Sequence, residues 1–351
     1  MPAILLQQAM MECSHATYLS QSPFILGDLI LKVLFSVFGF VLCIVLYFKE
    51  TELRNLVHVN ARIIILVHFL AVVVNAAAQA VSGMFDFLRF TILKSSPDCR
   101  IPLLSHNYAV AVTIPIVLTQ NVITLTLVAL GIERIIATLM AKSYETKKNR
   151  YVSVFLLAAT AIISLLWVVR FFGQLNSKPV FEDTYSVITV PSEVSGDTRL
   201  NTLCLTILEV IIMVLFLLIL FINLKLRAKA KLVNAPLGLK YQVEENLASV
   251  TVLLPMACVQ VLVYTVTFAL TYGLGHTHDM ETDNESSLLF TNVSPIYHVA
   301  LPIIWFIQAR QKRKQVRRQA QSRIEATSHE DTRAHFNMLR ETFRKASVKR
   351  Y

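Results

Sequence analysis

Val57–Met84 reads VHVNARIIILVHFLAVVVNAAAQAVSGM, and the fold follows from it. The stretch is long enough to cross a hydrocarbon layer roughly 30 Å thick, which takes about 20 apolar residues in a helix. It carries one permanent charge, Arg62, near its start. Its polar residues fall on one line. At about 100° per residue, with His68 at zero, Asn75 stands near −20°, Gln79 near +20°, Ser82 near −40° and, just beyond, Asp86 near 0°. A narrow polar line on an otherwise apolar helix needs an interior more polar than its surroundings, which means lipid outside and a helical bundle inside.

Composition agrees. Of 351 residues, 55% are apolar and 16% are charged, where soluble domains carry about 25% charged residues. Disordered, collagenous and coiled-coil chains are excluded by the same numbers, and five cysteines are too few for a disulfide scaffold. The net charge of +10 raises nucleic-acid binding as a possibility. Membrane orientation explains it better, because the basic residues flank apolar runs and sit mostly on one side of them.

Seven stretches qualify as spans: Phe24–Phe48, Val57–Met84, Asn107–Ala137, Val152–Phe172, Leu200–Leu224, Asn246–Tyr272 and Leu288–Ile307. Their length favours helices over barrel strands, which would show alternating segments of about ten residues. The expected architecture is an all-α membrane protein, a seven-transmembrane helix bundle. Residues 1–23 form an outer segment, 24–309 the receptor-like domain and 310–351 a basic tail. Met1–Gln21 shows no secretory signal, so the first span is expected to act as its own insertion signal. Thr184–Val190 alternates β-branched residues and suggests a hairpin in the second outer loop.

Lysine and arginine give the orientation. Lys49, Arg54 and Arg62, then Arg134, Lys142, Lys147, Lys148 and Arg150, then Lys225, Arg227, Lys229, Lys231 and Lys240 lie on the same side as the start of the tail. The opposite side has only Arg89, Lys94, Arg100, Arg170, Lys178 and Arg199. The positive-inside rule places the N-terminus outside and the C-terminus in the cytoplasm. Asn284-Glu285-Ser286, in an acidic stretch without lysine or arginine, is an N-glycosylation acceptor on the outer side.

Ionisable and polar residues at membrane depth face a bundle interior, because exposing a charge there costs about 2.5–3.5 kcal/mol by insertion scales. Thr113, Gln120, Thr124, Gly131 and Thr138 make a second polar line along the third span. Glu209 is a lone carboxylate in the fifth span and needs a partner. Asn75, Gln79, Asp86, Thr113, Gln120, Glu209, Tyr264 and His298 are therefore the candidates for a ligand cavity. The bland alternative for each is helix–helix hydrogen bonding, worth about 0.6 kcal/mol per contact. Pro255 and Pro302 can kink the sixth and seventh helices.

The third span ends in Glu133-Arg134-Ile135-Ile136-Ala137-Thr138. An acid–arginine pair at an inner helix end is similar to the acidic-Arg-aromatic motif of rhodopsin-like receptors, with Ile135 in place of the aromatic. The seventh span has Leu301-Pro302-Ile303-Ile304-Trp305 instead of their Asn-Pro-x-x-Tyr pattern, and no cysteine stands near Ala109, where most of them keep one. A closer likeness comes from three blocks. Glu133–Thr138 with Tyr144-Glu145, His58-Val59-Asn60 preceded by Val57 where the family has Phe, and Tyr241-Gln242-Val243-Glu244-Glu245-Asn246 together resemble the nematode serpentine chemoreceptors of the Sra superfamily. The Srab branch is nearest, with the Sra, Srb and Sre branches as rivals.

The resemblance implies a seven-helix G-protein-coupled receptor of sensory neurons that detects small environmental molecules, located in the plasma membrane and in sensory cilia. It implies a heterotrimeric G protein as partner, with His58, Asn60, Glu133, Arg134, Thr138, Tyr144, Glu145, Tyr241, Glu245 and Asn246 forming the coupling face. In that reading Glu133 holds Arg134 at rest and releases it when the sixth helix moves. It implies neither enzymatic activity nor a cofactor, metal or nucleic acid. An internal peptide or small-molecule receptor is the nearest alternative; a ligand-gated ion channel or a transporter is the alternative of another class.

Cys13–Cys99 is the favoured outer disulfide and Cys99–Cys204 its rival. The run Arg310–Arg323 reads as a basic segment lying on the anionic inner leaflet. Ser322, Thr327, Ser328, Thr332, Thr342 and Ser347 are sites for a receptor kinase and arrestin.

Overall fold

The computed structural model describes residues 20–49, 59–92, 104–140, 151–176, 184–185, 195–232, 237–276 and 293–308, with a few positions of the tail. Six long helices are α1 (Pro23–Lys49), α2 (Val59–Thr91), α3 (His106–Leu139), α4 (Tyr151–Asn176), α5 (Ser195–Leu232) and α6 (Leu237–His276). Residues 294–308 are helical and form α7. The six long helices are all apolar and long enough to cross a membrane.

α1, α3, α4, α5 and α6 contain the spans expected for them and several helices run further; residues 57–58 of the second expected span and 288–292 of the seventh lie outside the described residues. α2 continues to Thr91 and α6 begins at Leu237. Hydropathy marks only the part of a helix that lies in hydrocarbon. A helix of 40 residues, as α6 is, measures about 60 Å and outruns a roughly 30 Å core. Pro23 opens α1, where its missing N–H removes a donor that would have no intrahelical partner. Pro115 and Pro255 lie inside α3 and α6.

The central elements are α3 and α6, with 61% of their most apolar windows buried, against 17% for α4. α3 packs against α2, α4, α5 and α6, and α5 runs along α6. The outward faces carry large apolar side chains, among them Leu34, Phe38 and Val41 on α1 and Phe155, Ile162 and Leu166 on α4. In water such a surface would drive aggregation, whereas in a bilayer it faces its proper solvent.

Thr184 and Tyr185 form strand β2, antiparallel to β1 (Leu104–Ser105), with Leu104 opposite Tyr185 and Ser105 opposite Thr184. The loop after α4 is thereby tied to the entry of α3. The rest of the stretch expected as a hairpin, 186–190, lies outside the described residues. A strand needs a partner for its backbone groups, and alternation alone does not say which segment supplies it. The chain divides into two compact units between Ile304 and Trp305. In the second, the Arg310 guanidinium lies 4.3 Å from the centre of the Phe306 ring.

α1 meets the start of α7 at a glycine. A Cβ built on Gly39 would stand 2.6 Å from His298 Cβ and 2.7 Å from its carbonyl carbon and oxygen. One turn on, the Cys43 thiol points at the same carbonyl oxygen at 3.9 Å. The helices touch backbone to backbone here, and the close approach requires the absence of a side chain. Gly39→Val should therefore cost the full-length protein roughly 1–3 kcal/mol through overpacking. Gly27→Ala, where nothing lies within 4 Å of the new Cβ, should be neutral or stabilising. Thermal unfolding in detergent compares the two; equal melting temperatures for both variants would contradict the contact.

Candidate functional site

On the polar line of α2, His68, Asn75, Gln79 and Asp86 are buried and Ser82 is half-buried, and its bonds reach α3 and α7. Asn75 Nδ2 donates to Thr119 Oγ1 at 2.7 Å and to the Ile116 carbonyl at 3.1 Å. Its Oδ1 accepts from Gln79 Nε2 and from His298 Nε2, each at 2.9 Å. Gln79 Nε2 also donates to Ser294 Oγ at 2.7 Å. One amide thus fastens three helices.

Proton accounting fixes a second bolt below it. Thr126 uses its hydroxyl hydrogen within α3, on the carbonyls of Val122 and Ile123 at 2.7 and 2.8 Å. It can only accept from His68 Nδ1, 2.9 Å away. A neutral His68 then carries its proton on Nδ1 and leaves Nε2 bare, so the Tyr297 hydroxyl, 2.9 Å away, donates to it. The two rings meet edge to face.

Near the C-terminal end of α3, Arg134 and Glu133 are both fully buried. Arg134 Nε donates to Glu133 Oε2 at 2.5 Å and Nη2 to Oε1 at 2.6 Å, a bidentate pair. The third nitrogen, Nη1, crosses to α6 and donates to Asn246 Oδ1 at 3.3 Å. Thr138 accepts from Asn223 Nδ2 of α5 at 3.2 Å. Asn60 of α2 accepts from Ser153 of α4 at 3.1 Å. The exposed pair Arg227–Glu244 joins α5 to α6 nearby at 2.5 Å.

A third cluster lies between α3, α5 and α6. Glu209 is fully buried, and its Oε1 accepts a short hydrogen bond from Gln260 Nε2. Thr124 flanks the carboxylate. Tyr264 holds the Gln120 carbonyl by a long bond of 3.4 Å.

The structure brings most of the sequence-derived candidates into these clusters. Asp86 stands apart, towards the C-terminal end of α2, bonded to Arg89 at 2.8 Å with both side chains buried. Counting Arg89 among the outer-side basic residues hid this role; its i, i+3 spacing from Asp86 was the available signal. Thr113 and Gln120 are half-buried on α3, and Glu245 is half-buried on α6. Tyr241 lies within α6. Cys204 carries a free thiol, so the alternative pairing with Cys99 is not formed. His58, Tyr144, Glu145, Cys13, Cys99 and Asn284 lie outside the described residues.

Sequence reading missed Gln260, Asn223 and Tyr297. Gln260 was visible as a lone amide in the apolar run Val252–Leu270, four residues before Tyr264. Among the described residues no group of three or more His, Cys, Asp or Glu could hold a metal ion.

Apolar helices fastened by internal polar bolts, with a buried acid–arginine pair at one end, define a multi-pass membrane protein of the seven-helix receptor class. The family model described as serpentine type 7TM GPCR receptor class ab chemoreceptor matches residues 10–344, and the chain belongs to this family. The protein is thus a chemoreceptor of the G-protein-coupled receptor type, Srab branch of the Sra superfamily. No protein of curated function matches the chain.

The proton accounting at His68 predicts a measurable coupling. In a double-mutant cycle of Tyr297→Phe with His68→Leu, read by thermal unfolding, the pair should show about 0.6 kcal/mol, and at most about 1.7 kcal/mol, of interaction energy. Strictly additive effects would mean that the bond contributes nothing.

Proposed function

We propose that the protein binds a small environmental molecule from the outer side and activates a heterotrimeric G protein at its inner face. Its N-terminus lies outside and its tail, from residue 310, in the cytoplasm, as the lysine and arginine asymmetry supports. It resides in the plasma membrane, including sensory cilia, with a glycan on Asn284. Cys13 pairs with Cys99. The tail is phosphorylated by a receptor kinase and read by arrestin.

The observation that carries the reading is the contact between Arg134 and Asn246. Glu133 is on the same helix as Arg134, so their pair survives any movement of α6. The bond to Asn246 exists only while the inner end of α6 packs on α3. It therefore distinguishes two arrangements of the bundle, as a receptor switch requires. On α6, Gln260 holds Glu209 on the outer side of Pro255, and Asn246 holds Arg134 on the inner side. The two amides stand about 21 Å apart along the helix. Pro255 removes a backbone N–H between them, a natural place for bending.

When α6 swings away, Arg134 becomes available to the G-protein α-subunit. Asn60, Thr138 and Glu245 border the opened cleft, and the segments bearing His58, Tyr144, Glu145 and Tyr241 complete the docking face. Outer-side candidates divide by the cluster they belong to. Asn75, Gln79, His298 and Asp86 are held by neighbouring side chains and shape the cavity. Glu209, Tyr264, Gln120 and Thr113 stand closer to the ligand.

Removing the bond to Asn246 relieves the resting arrangement of about 1 kcal/mol, which shifts the equilibrium roughly fivefold. Asn246→Leu should therefore raise ligand-independent signalling in a reporter cell by about that factor. Arg134→Ala should abolish signalling at normal surface level. Unchanged basal activity in the first, with normal responses in the second, would contradict the reading.

A further inference from the structure

The clusters differ in how their polar atoms are satisfied. In the α2 line the side chains bond one another across helices. Around Glu209 three oxygens have no hydrogen-bond partner: Glu209 Oε2, Gln260 Oε1 and Thr124 Oγ1, the last a hydroxyl that can both donate and accept. All three side chains are fully buried. Among the described residues no lysine, arginine or histidine forms an ion pair with Glu209. A buried carboxylate oxygen without a donor is costly, and the cost is larger in the low-dielectric interior of a membrane bundle. Glu133, by contrast, receives a donor from Arg134 on each of its oxygens, and no other carboxylate in the helix-joining clusters is left with a buried oxygen unpartnered among the described residues.

We infer that Glu209, with Gln260 and Thr124, anchors the ammonium group of a small primary or secondary amine. The inference rests on the receptor reading above and names its ligand class. An ammonium offers two or three N–H donors, no acceptor and one positive charge. That is the complement of a carboxylate oxygen and an amide oxygen that lack donors, beside a hydroxyl that can also accept. The phenols of Tyr264 and Tyr297 lie within electrostatic reach of the same carboxylate. An alcohol brings a single donor and no charge. A carboxylic acid, once ionised, meets Glu209 with like charge. Because Gln260 is bonded to Glu209 and sits on α6, an amine that takes the carboxylate also frees α6 on the outer side of Pro255.

The test is binding to the purified full-length receptor in lipid nanodiscs, read by thermal shift, with no G protein present. The probes are isoamylamine, N-methylisoamylamine and cyclohexylamine, against isoamyl alcohol, cyclohexanol and isovaleric acid. Amines should raise the melting temperature in a saturable manner, and the isosteric alcohols and the acid should not. Glu209→Gln, nearly isosteric, should weaken amine binding by roughly 10- to 100-fold, the range expected for losing a hydrogen bond to a charged group. Wild-type receptor that no amine stabilises, or that alcohols stabilise equally, overturns the inference whether or not the variant folds. A Glu209→Gln receptor that binds amines as wild type does also overturns it. Because the readout needs no signalling, a receptor that binds amines but activates no G protein would refute the coupling reading and leave this one standing.

Discussion

A polar group inside lipid must find its partner within the protein, and the Asn75 side chain shows what that constraint builds. Its amide bonds Thr119 and the Ile116 carbonyl on α3, Gln79 on its own helix and His298 on α7. Apolar packing does not by itself choose a neighbour in hydrocarbon, since lipid tails are as apolar as leucine. Bonds of this kind, with the glycine contact of Gly39, give the helices a defined order and rotation. The His68 bolt joins the same helices below.

The bolted side leaves the remaining side free to move. α6 meets α3 and α5 through separate polar contacts: the amides of Asn246 and Gln260 on either side of Pro255, the Tyr264 bond to the Gln120 carbonyl and the exposed Arg227–Glu244 pair. A ligand moves such an equilibrium only by the difference between its affinities for the two arrangements. Glu209 fits that requirement, since a ligand bound to it competes with Gln260 for the same carboxylate. At the other end, Arg134 is held by Glu133 in a way that keeps the charge neutralised while it waits. Moving α6 then costs one long hydrogen bond to Asn246 and does not strand a buried ion pair.

The helices were legible in the sequence because a bilayer demands long apolar runs. The faces were legible because it punishes polar groups turned outward, so His68, Asn75, Gln79 and Asp86 had to share a line. Helix ends were less legible, since the turns of α2 beyond Met84 and of α6 before Asn246 lie outside the apolar stretch that hydropathy detects. Partners were not legible. Gln260 is 51 residues from Glu209, Asn246 is 112 from Arg134 and His298 is 223 from Asn75. One chain read alone carries a requirement for a partner but not its address. The coupling face was marked by its resemblance to a family, whereas the amide that meets Arg134 was singled out by geometry.

The account turns on α6 parting from α3 when the receptor acts. Spin labels at Leu139, the last residue of α3, and at Lys240, near the start of α6, occupy exposed positions. Their separation, measured by pulsed electron resonance on the full chain in nanodiscs with and without a nucleotide-free G protein, reads that movement directly. The separation should lengthen in the complex. A separation that stays the same while nucleotide exchange is stimulated would contradict the mechanism.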